Sequence, residues 1–436
     1  VGKDVTDWLR EGRKIEDMPV ISRTARNGSA PTLEVYEHLP EGFIREYVDY
    51  ADKLSEAPRV FHIAVGLAIA AATLGRRVYL PAYGSRIYPT IWILLVATSS
   101  VMRKSTAVSL GRDILELACE ERSENSSVLP DEWTPPILYQ RLQNEPSQTI
   151  VSREFGALLK YLTQSYMRGA RETMTDLFDG RRKWEREIKG EKNATESEKK
   201  ITLEWPQLNL IAASNIDWFI NSLRGDELGG FAQRFLYFPQ YETDKIMPRP
   251  PGADYTKMKE LAGLLNELRD FGGMEPGREK NWNAQSGAIY DNWYVEQRQE
   301  LKQVDPKFHG FEIRLNDYCI KVALVFQASI DPSPASVSVK AIEMAIAFMD
   351  EIKRMTRHFL NEEFVFDADS KDQKRAMGVI YKKPGLTMRD FKRATHWPSK
   401  KADTITYDLE QQGRLEKREG DRKDSVCLWP PMEVVK

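Results

Sequence analysis

The stretch IWILLVATSSVMRKST, from Ile91 to Thr106, constrains this chain more than any other. Its apolar run, Ile91 to Val96, reads as a buried strand; a small-residue turn follows, and Lys104 and Ser105 then open a helical pattern. Strand, loop, Lys-Ser and helix in that order form the P-loop arrangement. The free NH groups of a helix N-terminus attract phosphate, the Lys adds a point charge for the β and γ oxygens, and the Ser hydroxyl suits Mg²⁺. The pattern asks for glycine six residues before the Lys and again directly before it, where this chain has Thr98 and Arg103. Glycine reaches φ > 0 without a Cβ clash, so Thr98, Ser99, Ser100 and Val101 wrap less freely around an anion. The plainer alternative is that Ser105 or Thr106 merely caps a helix.

With 436 residues the chain exceeds the size at which one core stops growing, so two or three domains are expected. Its 63 basic and 65 acidic residues nearly cancel, so any nucleic-acid site must come from local segregation of charge. Cys119, Cys319 and Cys427 are too scattered for a disulfide framework or a Cys-based zinc site, and the five histidines form no ligand cluster. A reducing, cytoplasmic setting follows as the expectation. The start at Val1, without a signal-type apolar region, reads as part of something longer. The most apolar window, Ile63 to Gly75, is too short to span a bilayer and runs straight into Arg76 and Arg77, so it reads as a buried helix and no membrane partner is expected.

Periodicity divides the chain into a linker (1–39), an N-terminal helical segment (40–90), a P-loop core (91–250), a helical subdomain (251–365) and a C-terminal module (366–436). In the core, QTIV at Gln148 to Val151, LNLIAAS at Leu208 to Ser214 and FAQRFLYFP at Phe231 to Pro239 are further strand candidates, alternating with helices as a parallel α/β sheet does. The charged stretch from Tyr166 to Leu203 suits an exposed hairpin or insertion. The C-terminal module reads helix, turn, helix, turn, helix, strand, strand, which is a winged helix, with Ser399 as an N-cap and Gly413 as a stop.

P-loop chemistry needs an acidic residue at the end of a second strand to hold Mg²⁺ or polarise water, and Glu154 stands just past TIV, although Arg153 occupies the place of the usual Asp. Asn215 ends the next strand, where a polar side chain orients water. Arg234, after a Gly pair, is suited to stabilise transition-state charge at a neighbouring subunit; its plainer reading is a salt-bridged Arg at the core edge. Arg103 offers a second cation for phosphate, or equally a plug for the empty site through Glu154.

Between Lys371 and Asp424 there are 15 Lys and Arg against 9 Asp and Glu, so the C-terminal module is locally basic. Lys400, Lys401 and Thr404 lie on its recognition-type helix and Arg422 and Lys423 at the wing tip, which makes them DNA-contact candidates; the plainer alternative is a winged helix used for protein contact or ring packing. Arg181, Arg182 and Lys183 beside Trp184 are candidates for a pore or DNA-tracking loop with a stacking aromatic; the plainer and favoured alternative is a solvated charged hairpin. Asp176 and Asp179 in DLFDG read as helix-end and turn residues rather than as a metal pair.

The ordered set LLVATSSVMRKST, VSREFGALL, LNLIAASN and GGFAQRFLYF resembles a helicase-like P-loop family found in phage, plasmid and mobile-element replication proteins, often fused to a primase or primase-polymerase. The resemblance runs from about Pro40 to Leu360 and extends to AAA+, RecA-like and superfamily-three folds. It implies ATP- and Mg²⁺-dependent work on DNA by a homo-oligomeric ring of six subunits. In that scheme Lys104 and Ser105 take the Walker A roles, Glu154 the Walker B role with Ser105 at the metal, Asn215 the sensor role and Arg234 the arginine-finger role. The rival expectation is a DNA-binding scaffold or initiator whose degenerate loop does not hydrolyse.

Overall fold

A computed structural model of the chain describes residues 39–98, 100–122, 126–187, 200–216, 219, 230–272, 277–304, 306–363, 368–411, 415–419 and 426–429. Helix α1, Phe43–Ala51, buries Phe43, Ile44, Tyr47 and Val48. The connection 52–58 then leads into α2, Arg59–Leu74, which is buried from Val60 to Leu74 as its apolar run requires. Gly75, at φ +48, ends it. A hairpin of β1, Val78–Ala82, and β2, Ser85–Ile87, turns at Tyr83 and Gly84, both at positive φ, as a two-residue hairpin turn demands.

Four strands form the central parallel sheet. β3, Trp92–Ala97, is followed by α3, Lys104–Glu121, α4, Pro135–Asn144, and β4, Ser147–Ser152. Then come α5, Phe155–Leu162, α6, Ala170–Phe178, and the antiparallel pair β5, Lys183–Glu187, and β6, Lys200–Glu204. β7, Gln207–Asn215, and β8, Leu236–Gln240, complete the sheet, whose order is β4-β7-β3-β8. Every residue of β3 is buried, the mark of a strand covered on both faces. Trp92 packs edge-on against Phe178 and Phe231. Connections leave β3 toward β4 and leave β7 toward β8, so the winding reverses between these two neighbours. Ligands of open α/β sheets bind at the carboxyl ends of strands at such a reversal.

The next elements are largely helical: α7, Tyr255–Gly272, α8, Ala284–Glu300, α9, His309–Ile330, and α10, Val339–Glu363. Short strands interrupt the all-helical expectation. β9, Arg278–Glu279, extends the edge of β1 in parallel, and β10, Asn281–Trp282, pairs with β11, Ser336–Val337. Arg357 bonds Glu300 of α8 and Glu312 of α9, tying three helices together. α2 and α3 approach so closely at Gly111 that a Cβ there would lie 2.2 Å from Val65 Cγ1.

The C-terminal module has its own core, in which Ile380, Leu386, Phe391, Ile405, Leu409 and Leu428 are buried together. Its elements are α11, Ala368–Lys382, β12, Leu386–Thr387, α12, Met388–Thr395, α13, Ser399–Gln411, β13, Glu416–Glu419, and β14, Val426–Trp429. The expected two-stranded hairpin gains a third strand, because β12 pairs with β14. The chain is thus a mixed α/β protein with a parallel sheet, and among the described residues no helix is long and apolar enough to cross a membrane. The linker 1–39, apart from its last residue, and Gly413 lie outside the described residues.

Candidate functional site

The loop after β3 is pinned from both neighbouring strands. Asn215 at the end of β7 donates its Nδ2 hydrogen to the Thr98 carbonyl, 3.0 Å away, and Thr98 Oγ1 donates to the Tyr241 carbonyl beyond β8, at 3.2 Å. Ser100–Met102 make a single 3-10 turn with Met102 buried beneath it. Arg103 follows at φ +46 and ψ +33, the left-handed region. This is the second position at which the P-loop pattern puts glycine. The chain makes this left-handed bend with a side chain attached, at a cost of roughly 1–2 kcal/mol. Thr98, at the first glycine position, is not among the described residues at positive φ. Ser99 lies outside the described residues.

Lys104 is the first residue of α3 and half-buried. Burial pushes its ammonium below the ordinary lysine range, and the nearby Glu154 charge opposes that shift. Ser105 Oγ lies 3.5 Å from the Arg153 carbonyl, the outer limit for a hydrogen bond, so the start of α3 abuts the end of β4. Thr106 is exposed in the first turn. The carboxyl edge therefore gathers Thr98, Arg103, Lys104, Ser105, Glu154 and Asn215 from three strand ends and one helix N-terminus.

Arg103 does not pair with Glu154. Its Nε lies 3.2 Å from Glu56 Oε2, on the connection between α1 and α2, and Glu56 Oε1 accepts from the Met247 backbone NH at 3.0 Å. The Met247 NH and the Arg103 guanidinium together hold the Glu56 carboxyl below the usual range. No spacing in the sequence announces Glu56.

Arg234 sits elsewhere. It precedes β8, whose five residues at about 3.3 Å each separate it from the carboxyl edge by roughly 16 Å. It is 6% exposed. Its Nε lies 3.2 Å from Asp179 Oδ1, its Nη2 also bonds that carboxylate, and its Nη1 bonds the Gly230 carbonyl. Arg314 Nη1 reaches the same Asp179 at 3.0 Å. Burial pushes the Asp179 carboxyl up, but the two guanidiniums outweigh it and hold it below the ordinary value. Lys321, buried beside this cluster with its Nζ 3.8 Å from the Phe178 ring centroid, is pushed down to about 7 by burial.

The candidate DNA surfaces are only partly as the sequence suggests. Trp184 is buried against Tyr139, ring centroids 4.9 Å apart, and so is no open stacking platform. Arg181 pairs with Asp176 at 2.8 Å, Lys183 with Glu185 at 2.6 Å, and Arg182 is exposed. On α13, Lys400 and Thr404 are exposed, while Lys401 pairs with Asp372 and lies 5.3 Å from the Trp397 ring centroid. Tyr407, one turn beyond Thr404 and 57% exposed, extends this face and was not singled out from the sequence. Arg422 and Lys423 lie outside the described residues.

Among the described residues no group of three or more His, Cys, Asp and Glu could hold a metal. Ser105 and Glu154 are both exposed at this edge, a hydroxyl and a carboxylate of the oxygen type that Mg²⁺ accepts alongside phosphate and water. Fold and site define a mixed α/β protein with a lysine-bearing helix N-terminus at the carboxyl edge of its parallel sheet. No protein-family model matches the chain, and no curated protein is significantly similar to it.

Proposed function

We propose that the chain is a P-loop-type ATPase that works on DNA as a replicative helicase or helicase-like motor, with the C-terminal module serving as a DNA-binding winged helix. One observation carries the reading: Lys104 opens the helix that follows a buried parallel strand and its loop, near the Glu154 charge, with Asn215 fixing the loop from the strand between. In this reading the α3 NH groups and Lys104 bind the triphosphate, Asn215 holds the loop in register, and Glu154 accepts a hydrogen bond from the attacking water. Ser105 and Glu154 are the residues that would hold Mg²⁺, and the ion would supply neutralisation of charge on the phosphate oxygens. Lys400, Thr404 and Tyr407 face the DNA, and a ring of identical subunits, with a primase or primase-polymerase as partner, follows from the resemblance alone.

Arg234 is assigned a structural role instead of that of a finger, because its guanidinium is engaged inside its own chain. The same observation favours a second reading, a DNA-binding scaffold or initiator without turnover. Single-stranded DNA titrated into the protein with MgATP separates the two. DNA-stimulated phosphate release that disappears in Lys104→Ala supports the motor; DNA binding that is indifferent to ATP and to Lys104→Ala supports the scaffold.

A further inference from the structure

The residue that meets Arg103 is a carboxylate held by two elements at once. Glu56 takes the Arg103 Nε on one oxygen and the Met247 NH on the other. Four residues earlier, Asp52 takes Lys245 Nζ at 3.0 Å and Arg59 Nη2 at 2.9 Å. Segment 245–247, which follows β8, is thereby strapped to the α1–α2 connection by two acidic side chains. The strap closes a circuit around the loop: Thr98 bonds the Tyr241 carbonyl at one end of it, and Arg103 bonds Glu56 at the other.

We infer that Glu56 is a latch that stands in for phosphate at Arg103 and is displaced by a nucleoside triphosphate, so that occupancy of the loop is passed to segment 245–247. The inference rests on the nucleotide-binding reading of the loop. Arg103 is adjacent to Lys104, and its left-handed backbone is the last bend before the helix that would receive the phosphates. A guanidinium bonds phosphate at least as well as carboxylate, with the same forked geometry, and a triphosphate carries more charge than one carboxylate. Arg103 is half exposed, so exchanging partners requires no rearrangement of the core. Once Arg103 turns to phosphate, Glu56 keeps the Met247 NH but loses the cation that fixes its other oxygen, so the acceptor that holds the strap at Met247 is no longer anchored from both sides.

The test is ATP binding, with Mg²⁺, to the unaltered protein, Glu56→Gln, Arg103→Ala and the double variant, alongside amide hydrogen exchange at Met247. Glu56→Gln keeps an acceptor for Met247 but loses the charge that holds Arg103. It is expected to bind ATP about three-fold more tightly, the scale of a surface ion pair released. Arg103→Ala is expected to bind more weakly, and adding Glu56→Gln to it should change nothing further. ATP should speed exchange of the Met247 amide in the unaltered protein and not in Arg103→Ala. Equal effects of Glu56→Gln with and without Arg103, or no effect at all, overturn the latch while leaving the nucleotide site standing. Absence of ATP binding in the unaltered protein overturns both.

Discussion

Asn215 and Thr98, 117 residues apart in the chain, meet through a 3.0 Å hydrogen bond that ties the end of β7 to the first residue of the loop after β3. A loop without glycines is stiff but not self-positioning, and this bond supplies a position from outside. Asn215→Ala removes one neutral hydrogen bond, worth about 1 kcal/mol. It should weaken ATP binding by up to about tenfold while leaving the unfolding transition cooperative. Asn215→Asp, which sets a carboxylate against the Thr98 carbonyl, should weaken it further. A calorimetric titration of the two variants checks the order.

Arg234→Ala leaves the half-buried Asp179 with the Arg314 ion pair but without its forked partner. Breaking a buried ion pair from one side costs about 3–5 kcal/mol, and the surviving Arg314 contact puts the expected loss at the lower end. Urea unfolding of the nucleotide-free protein measures it. Unchanged stability together with lost ATP turnover would assign Arg234 to catalysis after all.

His62 in α2 is buried, and burial pushes its imidazole down from 6.5 to about 4. The unfolded chain takes up this proton near pH 6.5 and the folded chain only near pH 4. The stabilising effect of keeping His62 neutral is therefore fully present above pH 6.5 and lost as pH falls through that window, amounting to about 3 kcal/mol. His62→Leu should remove this share of the acid sensitivity, read as a smaller difference in urea midpoint between pH 7 and pH 4.5. An identical pH dependence in both proteins would mean that other groups carry it.

Gly111 is where α2 and α3 touch. Gly111→Ala should destabilise by about 1–3 kcal/mol, the usual cost of overpacking, despite the better helix propensity of alanine. Adding Val65→Ala should restore part of the loss by making room for the new Cβ. Thermal unfolding of the single and double variants decides it, since additive losses would contradict the close approach.

The strands that carry the site were legible because a sheet covered on both faces demands continuous apolar runs, as in IWILLV, QTIV and LNLIAAS; of FAQRFLYFP only the second half is strand, since Ala232–Arg234 form a 3-10 turn before β8. Lys104 and Glu154 were legible because local patterns place one at the start of the helix after β3 and the other just past the end of β4. What patterns within one element cannot carry is the choice of partner across the fold. Arg234 and Asp179 are 55 residues apart, and neither context names the other. Glu56, 47 residues before Arg103, belongs to a connection with no motif of its own. Around Trp184 the charged neighbours are compatible with a stacking surface or a solvated hairpin; strand alternation in β5 turns Trp184 inward onto Tyr139 and leaves the flanking Lys183 and Glu185 of the antiparallel pair outside. The positive φ at Arg103 was equally hidden, because a side chain at a glycine position reads as loss of the bend until the backbone is seen.

The central claim is that this loop still binds nucleotide phosphate through Lys104. Equilibrium dialysis of MgATP against the unaltered protein and Lys104→Ala tests it without depending on turnover, DNA or assembly. The account predicts saturable binding by the unaltered protein and loss of at least about tenfold in affinity for the variant, the share of one charge-assisted contact. Equal binding by both proteins, or none by either, would contradict it.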